Sequence, residues 1–181
     1  MFEDNEVLVI KSPQVDFSFQ LNLSRDKTEK KIFAYLSEIA QKLSKTEKRL
    51  GALVVLGSFG YKNQAADGMR SLTKDKVDLY LNINFAQFKD EIMKILESGD
   101  DGAIIINQDG QILAEKVYLT VDNPSVDIPD GTGTRHISAC SFSTRPDVLA
   151  TFTLSEETLT VRIWKDGAYT DQYNPNHKGE E

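Results

Sequence analysis

Three short polar groups interrupt an otherwise apolar chain, and each holds residue types that can handle phosphates or a divalent cation. The first is Asp100-Asp101-Gly102-Ala103. Adjacent carboxylates offer the hard oxygen ligands that Mg²⁺ and Mn²⁺ prefer, and a neighbouring glycine lets a ligand approach the backbone. An Asp-Gly pair is also ordinary turn chemistry. The second is Gly131-Thr-Gly-Thr-Arg-His136. Its glycines expose backbone N–H groups, Thr134 carries a hydroxyl donor, Arg135 can grip phosphate oxygens with two N–H groups at once, and His136 can donate from its ring. A flexible glycine loop with an incidental cation would read the same way, and a lone histidine is more often structural than catalytic. The third is Ser155-Glu-Glu-Thr158, a hydroxyl and a carboxylate in what is also a plausible polar hairpin turn.

Apolar elements must position these groups. Glu6–Ile10 reads as a strand, and Phe17, Phe19, Leu21 and Leu23 alternate with polar residues as a strand would, with Ser24 available to cap the next element. From Lys27 to about Lys45 the spacing of Ile32, Phe33, Leu36, Ile39, Ala40 and Leu43 predicts a helix with one core-facing side. Gly51–Gly57 is a continuous apolar run expected to be a strand buried on both faces. Ser58–Tyr80 is polar and reads mainly as a long excursion. Phe85, Phe88, Ile92, Ile95 and Leu96 mark a second helix ending near Gly99.

The first group thus falls between a helix and the strand Ala103–Ile106, which turns at Asn107–Gly110 into a partner, Gln111–Ala114. Val117–Val121 is a further strand, and Asp122–Gly133 is a loop rich in Asp, Pro and Gly. The second group precedes a short helix, Ile137–Ser143, so that its donors would lie at a helix N-terminus, where anions are favoured. The third joins two strands, Val148–Leu154 and Leu159–Trp164, with a turn at Lys165–Gly167 and a short return at Ala168–Thr170. The expected fold is α/β with α+β character: a mixed central sheet flanked by helices. Residues 1–25 are expected to be an N-terminal strand segment, which could be an appended piece, residues 26–172 the domain that carries the three polar groups, and residues 173–181 a polar tail.

Composition narrows the partners. The chain has 181 residues, the size of one domain. Its net charge of −7 argues against a nucleic acid polymer as ligand, because phosphate backbones are gripped by many Lys and Arg contacts. A small anion remains possible, since it needs only a few local donors. The sequence has no apolar run long enough to span a membrane and an acidic start without a signal-like segment, so no membrane association and a cytoplasmic location are expected. One cysteine, Cys140, excludes an internal disulfide.

Taken in order, Asp101-Gly102-Ala103, Gly133-Thr134-Arg135-His136 and Ser155-Glu156-Glu157-Thr158 resemble the motifs of the diadenylate cyclase family of the DisA type. Leu50–Gly57, Val117–Thr120 and Val161–Gly167 resemble intervening stretches of its archaeal-type members, so the resemblance covers about residues 30–170. It implies a metal-dependent nucleotidyltransferase that uses Mg²⁺ or Mn²⁺. Two subunits would meet face to face, each carrying one ATP, and condense the two into cyclic di-AMP with release of pyrophosphate. By motif position, Asp101, Arg135 and His136 would be catalytic. Gly102, Ala103, Leu119, Thr120, Gly133, Thr134 and Ser155 would bind ATP, with Leu119 and Thr120 bordering the adenine, and Asp101 and Glu156 would hold the metal.

Two departures stand out. Many members read Arg-His-Arg where this chain has Arg135-His136-Ile137, and many have His where it has Asp100. A missing cation would have to come from Arg145, Arg162 or a partner subunit. The alternatives are a catalytically inactive regulatory module that binds ATP or cyclic di-AMP, an unrelated metal-dependent phosphotransferase or nucleotidyltransferase, and a purely structural domain.

Overall fold

The computed structural model describes residues 17–59, 69–71, 81–99, 101–121 and 133–176, with side chains from residue 26 onward except those of 70 and 71. Glu6–Ile10 lies outside the described residues. Ten elements run in chain order: α1 (Phe17–Leu43), β1 (Ala52–Gly57), β2 (Met69–Ser71), α2 (Phe88–Glu97), β3 (Ala103–Asn107), β4 (Ile112–Leu119), α3 (Thr134–Phe142), β5 (Val148–Leu154), β6 (Val161–Lys165) and β7 (Ala168–Tyr173). The strands form one mixed sheet in the order β2-β4-β3-β1-β5-β6-β7. Among the described residues, only β1 and β3 run parallel, as expected for strands joined through α2; the remaining described pairs are antiparallel.

Alternation along the central strands divides the core in two. Ala52, Val54 and Leu56 of β1, with Ile104 and Ile106 of β3, face a core closed by Ile32, Leu36, Ile39 and Leu43 of α1 and Phe88, Ile92 and Ile95 of α2. Leu53, Val55, Ala103 and Ile105 face the other side, where Ala139, Cys140 and Phe142 of α3 pack with Val117, Leu119 and Trp164. A strand buried on both faces must be apolar at every position, which is why β1 reads Ala-Leu-Val-Val-Leu without alternation.

Four expectations need correction. Residues 17–23 are not a strand but the first turns of α1, and Ser24 lies inside the helix rather than capping it. No Pro or Gly interrupts Phe17–Leu43, so a helix nucleated by the amphipathic stretch propagates backward, each added residue gaining one hydrogen bond. The excursion after β1 contains a strand, β2, which adds antiparallel to β4 at the sheet edge. The two strands expected at 111–114 and 117–121 are one strand, β4, irregular opposite β3, with Lys116 at φ 54°. Finally, α3 starts at Thr134 rather than at Ile137. Gly133 is extended, at φ −74° and ψ 175°, so the helix begins directly after it and takes in Thr134, Arg135 and His136.

Candidate functional site

Sheet order brings the first and third polar groups together. Asp101 and Gly102 precede β3, the parallel neighbour of β1. Ser155 and Glu156 come just after β5, the antiparallel neighbour on the other side, where Leu154 lies opposite Ala52. Both groups therefore emerge at the same end of the sheet, flanking Gly51 at the start of the central strand. Arg135, in the first turn of α3, reaches over this edge. Its Nη2 donates to Asp101 Oδ1 at 3.3 Å and its Nη1 to Glu156 Oε2 at 3.2 Å, so one guanidinium joins residues from all three groups.

Both pairs are wet: the side chains of Asp101, Glu156 and Arg135 are 84%, 55% and 35% exposed. Exposed pairs of this kind contribute about 1 kcal/mol or less, so a competing phosphate or cation can displace them cheaply.

Beside this cluster a cleft of about 290 Å³ opens between α3 and β4. The helix packs on β5, β1 and β6, and the cleft floor is Leu53, Ala103, Val117 and Leu119. Tyr118, Thr134, Arg135, Ile137 and Ser138 form its sides, and Asp101 and Gly102 its inner end. A second hollow of about 230 Å³ meets the first at Asp101, Gly102 and Arg135 and is more polar, with Arg49, Lys116 and Glu156 on its walls.

Gly102 makes this junction possible. Its φ is 137°, and a Cβ there would stand 2.7 Å from the carbonyl carbon of Lys116 and 2.8 Å from its Cα. Only glycine lets the start of β3 pass so close to the irregular stretch of β4.

Of the residues singled out by sequence, the structure thus brings Asp101, Gly102, Ala103, Leu119, Thr134 and Arg135 to one cleft and Glu156 to its polar end. Others stand apart. Gly133 caps α3 from an exposed position, and Thr120 is exposed just beyond β4. Ser155 serves its own turn, its hydroxyl accepting from Thr158 N–H at 3.2 Å.

The expectation that the His136 ring contacts phosphate is not met in this geometry. The side chain is buried on the other side of α3, edge-on to Trp164 with ring centroids 6.0 Å apart. Adjacent residues on a helix point about 100° apart, so when Arg135 faces the cleft His136 turns into the core. Burial above all, then the positive charges of Arg162 and Arg135, hold the imidazole below its ordinary value near 6.5.

Nor do the expected substitutes for the missing motif cation reach the cleft. Arg145 makes two bonds to Asp147, each at 3.0 Å, and Arg162 stacks on Tyr169 and bonds Gln172. Ile137, at the position of that cation, does line the cleft. Among the described residues, Arg49 and Lys116 are cations that line the polar hollow beside the junction. Sequence reading does not mark them, nor Tyr118, Ser138 and Gly51, as site residues. A large exposed aromatic, Tyr118, just before the buried Leu119 is the one available signal.

Among the described residues no three His, Cys, Asp or Glu side chains converge to form a protein-only metal cage. The Asp101 and Glu156 carboxylates nevertheless suit Mg²⁺ or Mn²⁺ chemically. Mg²⁺ commonly takes one or two protein carboxylates and completes its shell with substrate phosphates and water.

Comparison with known proteins places the chain in a family. The family described as DisA bacterial checkpoint controller nucleotide-binding matches residues 40–169. A diadenylate cyclase of Methanocaldococcus jannaschii is 35% identical over 78 residues, covering 43% of this chain and 25% of the relative. A diadenylate cyclase of Haloferax volcanii is 28% identical over 147 residues, covering 80% of this chain and 51% of the relative. The chain therefore spans about half or less of the length of these curated relatives. The crystal structure of a protein described as a hypothetical membrane spanning protein from Bacillus cereus has the same fold: TM-score 0.56, 22% identity, covering 75% of this chain and 60% of that one. Among the described residues of the present chain, no helix is long and apolar enough to cross a membrane.

Proposed function

Because the chain belongs to the DisA-type nucleotide-binding family, we propose that it is a diadenylate cyclase, joining two ATP molecules into cyclic di-AMP. The observation that carries this reading is the junction itself: an apolar cleft ends where Asp101, Arg135 and Glu156 meet. The adenosine part of ATP suits the cleft, with Leu119 and Leu53 beneath it. The phosphates suit the junction, next to the guanidinium and the N-terminus of α3, whose first turn carries no acidic residue.

In the reaction, the 3′-oxygen of one ATP attacks the α-phosphorus of the other. The bond to the β-phosphate oxygen breaks, pyrophosphate leaves, and the 3′-hydroxyl proton is released. The same step in the opposite sense closes the ring, so two pyrophosphates are formed for each cyclic di-AMP. Such transfers depend on alignment and on neutralising charge rather than on a covalent enzyme intermediate. Arg135 supplies positive charge toward the α-phosphate. Asp101 orients the attacking hydroxyl and favours loss of its proton. Asp101 and Glu156 are the residues that would hold Mg²⁺ or Mn²⁺, which when bound offsets phosphate charge.

One cleft holds one nucleotide, so two copies of the chain must face each other to place each 3′-hydroxyl against the other's α-phosphate. A non-catalytic regulatory module is the competing reading, and Ile137 on the cleft wall, where many relatives have a cation, is what favours it.

The test is incubation with ATP and Mg²⁺ or Mn²⁺, then mass analysis. Metal-dependent formation of cyclic di-AMP and pyrophosphate, with rates rising faster than linearly at low enzyme concentration, supports the paired cyclase. Binding of ATP without product supports the regulatory module, and absence of both would overturn either reading.

A further inference from the structure

We propose that Gly51 is a positioning residue for this reaction: its missing side chain forms the floor on which the Arg135 guanidinium lies. The proposal rests on the cyclase reading above. A Cβ built on Gly51 would stand 2.1 Å from Arg135 Nη1, 2.8 Å from Cζ and 3.4 Å from Nε. All three nearest atoms belong to Arg135, so the guanidinium is what a side chain at this position would meet first.

The backbone does not require glycine at this point. Gly51 has no left-handed φ, unlike Gly102 and Gly110, and alanine is therefore compatible with its conformation. Gly102 differs, because a Cβ there meets backbone atoms of Lys116 and Val117. Gly133 differs again, having nothing within 4 Å of the Cβ position. Gly51 is thus the glycine whose substitution acts on the site and spares the fold.

Its location explains the effect. Gly51 opens the central strand, with Asp101 leading into the neighbour on one side and Glu156 coming after the neighbour on the other. The Arg135 guanidinium comes closest to the Gly51 Cβ position with Nη1 and reaches both carboxylates at once, Nη2 to Asp101 and Nη1 to Glu156. A methyl group would push Nη1 away by roughly 1.4 Å, from 2.1 Å to an ordinary contact distance of about 3.5 Å. Both bonds would be lost or lengthened, and the donors aimed at the α-phosphate would shift with them. A displacement of that size at a reacting centre costs on the order of 100-fold in rate.

The experiment is a double-mutant cycle of Gly51→Ala with Arg135→Ala, read by thermal unfolding, ATP affinity and steady-state formation of cyclic di-AMP. Gly51→Ala alone is expected to leave Tm nearly unchanged and to lower kcat about 100-fold, with a smaller change in KM. In the Arg135→Ala background the same substitution should cost less than about twofold, since no guanidinium remains to be displaced. An equal loss in both backgrounds, or no loss in either, overturns the proposal.

A wild-type chain that makes no cyclic di-AMP would overturn the cyclase reading instead. The Gly51 contact is then read from the Arg135 Nε–H resonance, identified by its disappearance in Arg135→Lys. A clear shift of that resonance in Gly51→Ala upholds the contact, and an unmoved one removes it.

Discussion

The two faces of the sheet are made from the same strands, yet they are finished differently. On one face α1 and α2 lay Leu36, Ile39, Phe88 and Ile92 over β1, β3 and β5 and seal an aliphatic core. On the other, the nine-residue α3 packs mainly on β5, β1 and β6, and a cleft floored by Leu53, Ala103, Val117 and Leu119 opens beside it. A sealed face returns stability for the apolar area it removes from water. The face with a cleft beside its helix instead leaves room for a ligand. The two faces should therefore fail separately when altered.

The largest effect is expected at the open face. Asp101→Asn keeps the size of an 84% exposed side chain and removes its charge. Turnover should fall by about 10³-fold or more, the range seen when a positioned proton acceptor is lost, while the unfolding midpoint stays where it was. Activity near wild type would remove Asp101 from the chemistry.

Next in size is Leu36→Ala on the sealed face. Leu36 is 1% exposed, and the cavity left behind should cost about 3 kcal/mol of stability in denaturant unfolding. ATP affinity per folded molecule should not change. A change there would mean that the faces are coupled through the strands and that the division between them is wrong.

The smallest effect tests the division within α3 itself. His136 is held neutral in the fold, while the unfolded chain takes up a proton near pH 6.5. Its contribution to stability is thus complete above about pH 6.5 and is lost as pH falls from there through the depressed folded value. His136→Phe, still packed against Trp164, should show a smaller drop in Tm between about pH 7 and pH 5 than wild type. Turnover at pH 7 should be retained. A loss as deep as that of Asp101→Asn would place His136 with the chemistry after all.

Much of this organisation is legible in the sequence, for a physical reason. Continuous apolar runs such as Leu53–Leu56 and Ile104–Ile106 admit little except doubly buried strands, and the spacing of Ile32, Leu36, Ile39 and Leu43 fixes a helix face. The polar groups at 101, 135 and 156 stand out because nothing in a core accounts for them. Orientation and packing are harder to read. Which of Arg135 and His136 faces the cleft depends on the rotation of α3 against the sheet, a tertiary quantity. Gly51 reads as a strand boundary, and only the position of Arg135, 84 residues further along the chain, gives it another meaning. The first turns of α1 mislead because Phe17, Phe19, Leu21 and Leu23 alternate locally, whereas the continuity of the helix decides the outcome.

The meeting of three strand ends at one edge of the sheet also bears on how the molecule matures. Gly51, Asp101, Arg135 and Glu156 come from four separate parts of the chain, and none of their contacts is local. Closing such distant segments costs loop entropy before any contact rewards it, which makes pairings of this kind slow to form. The cluster cannot exist until β1 lies between β3 and β5 and α3 has settled on them. On the proposed reading, the nucleotide site therefore arrives only once these strands and α3 are in place, and a partly folded chain, however compact, lacks it.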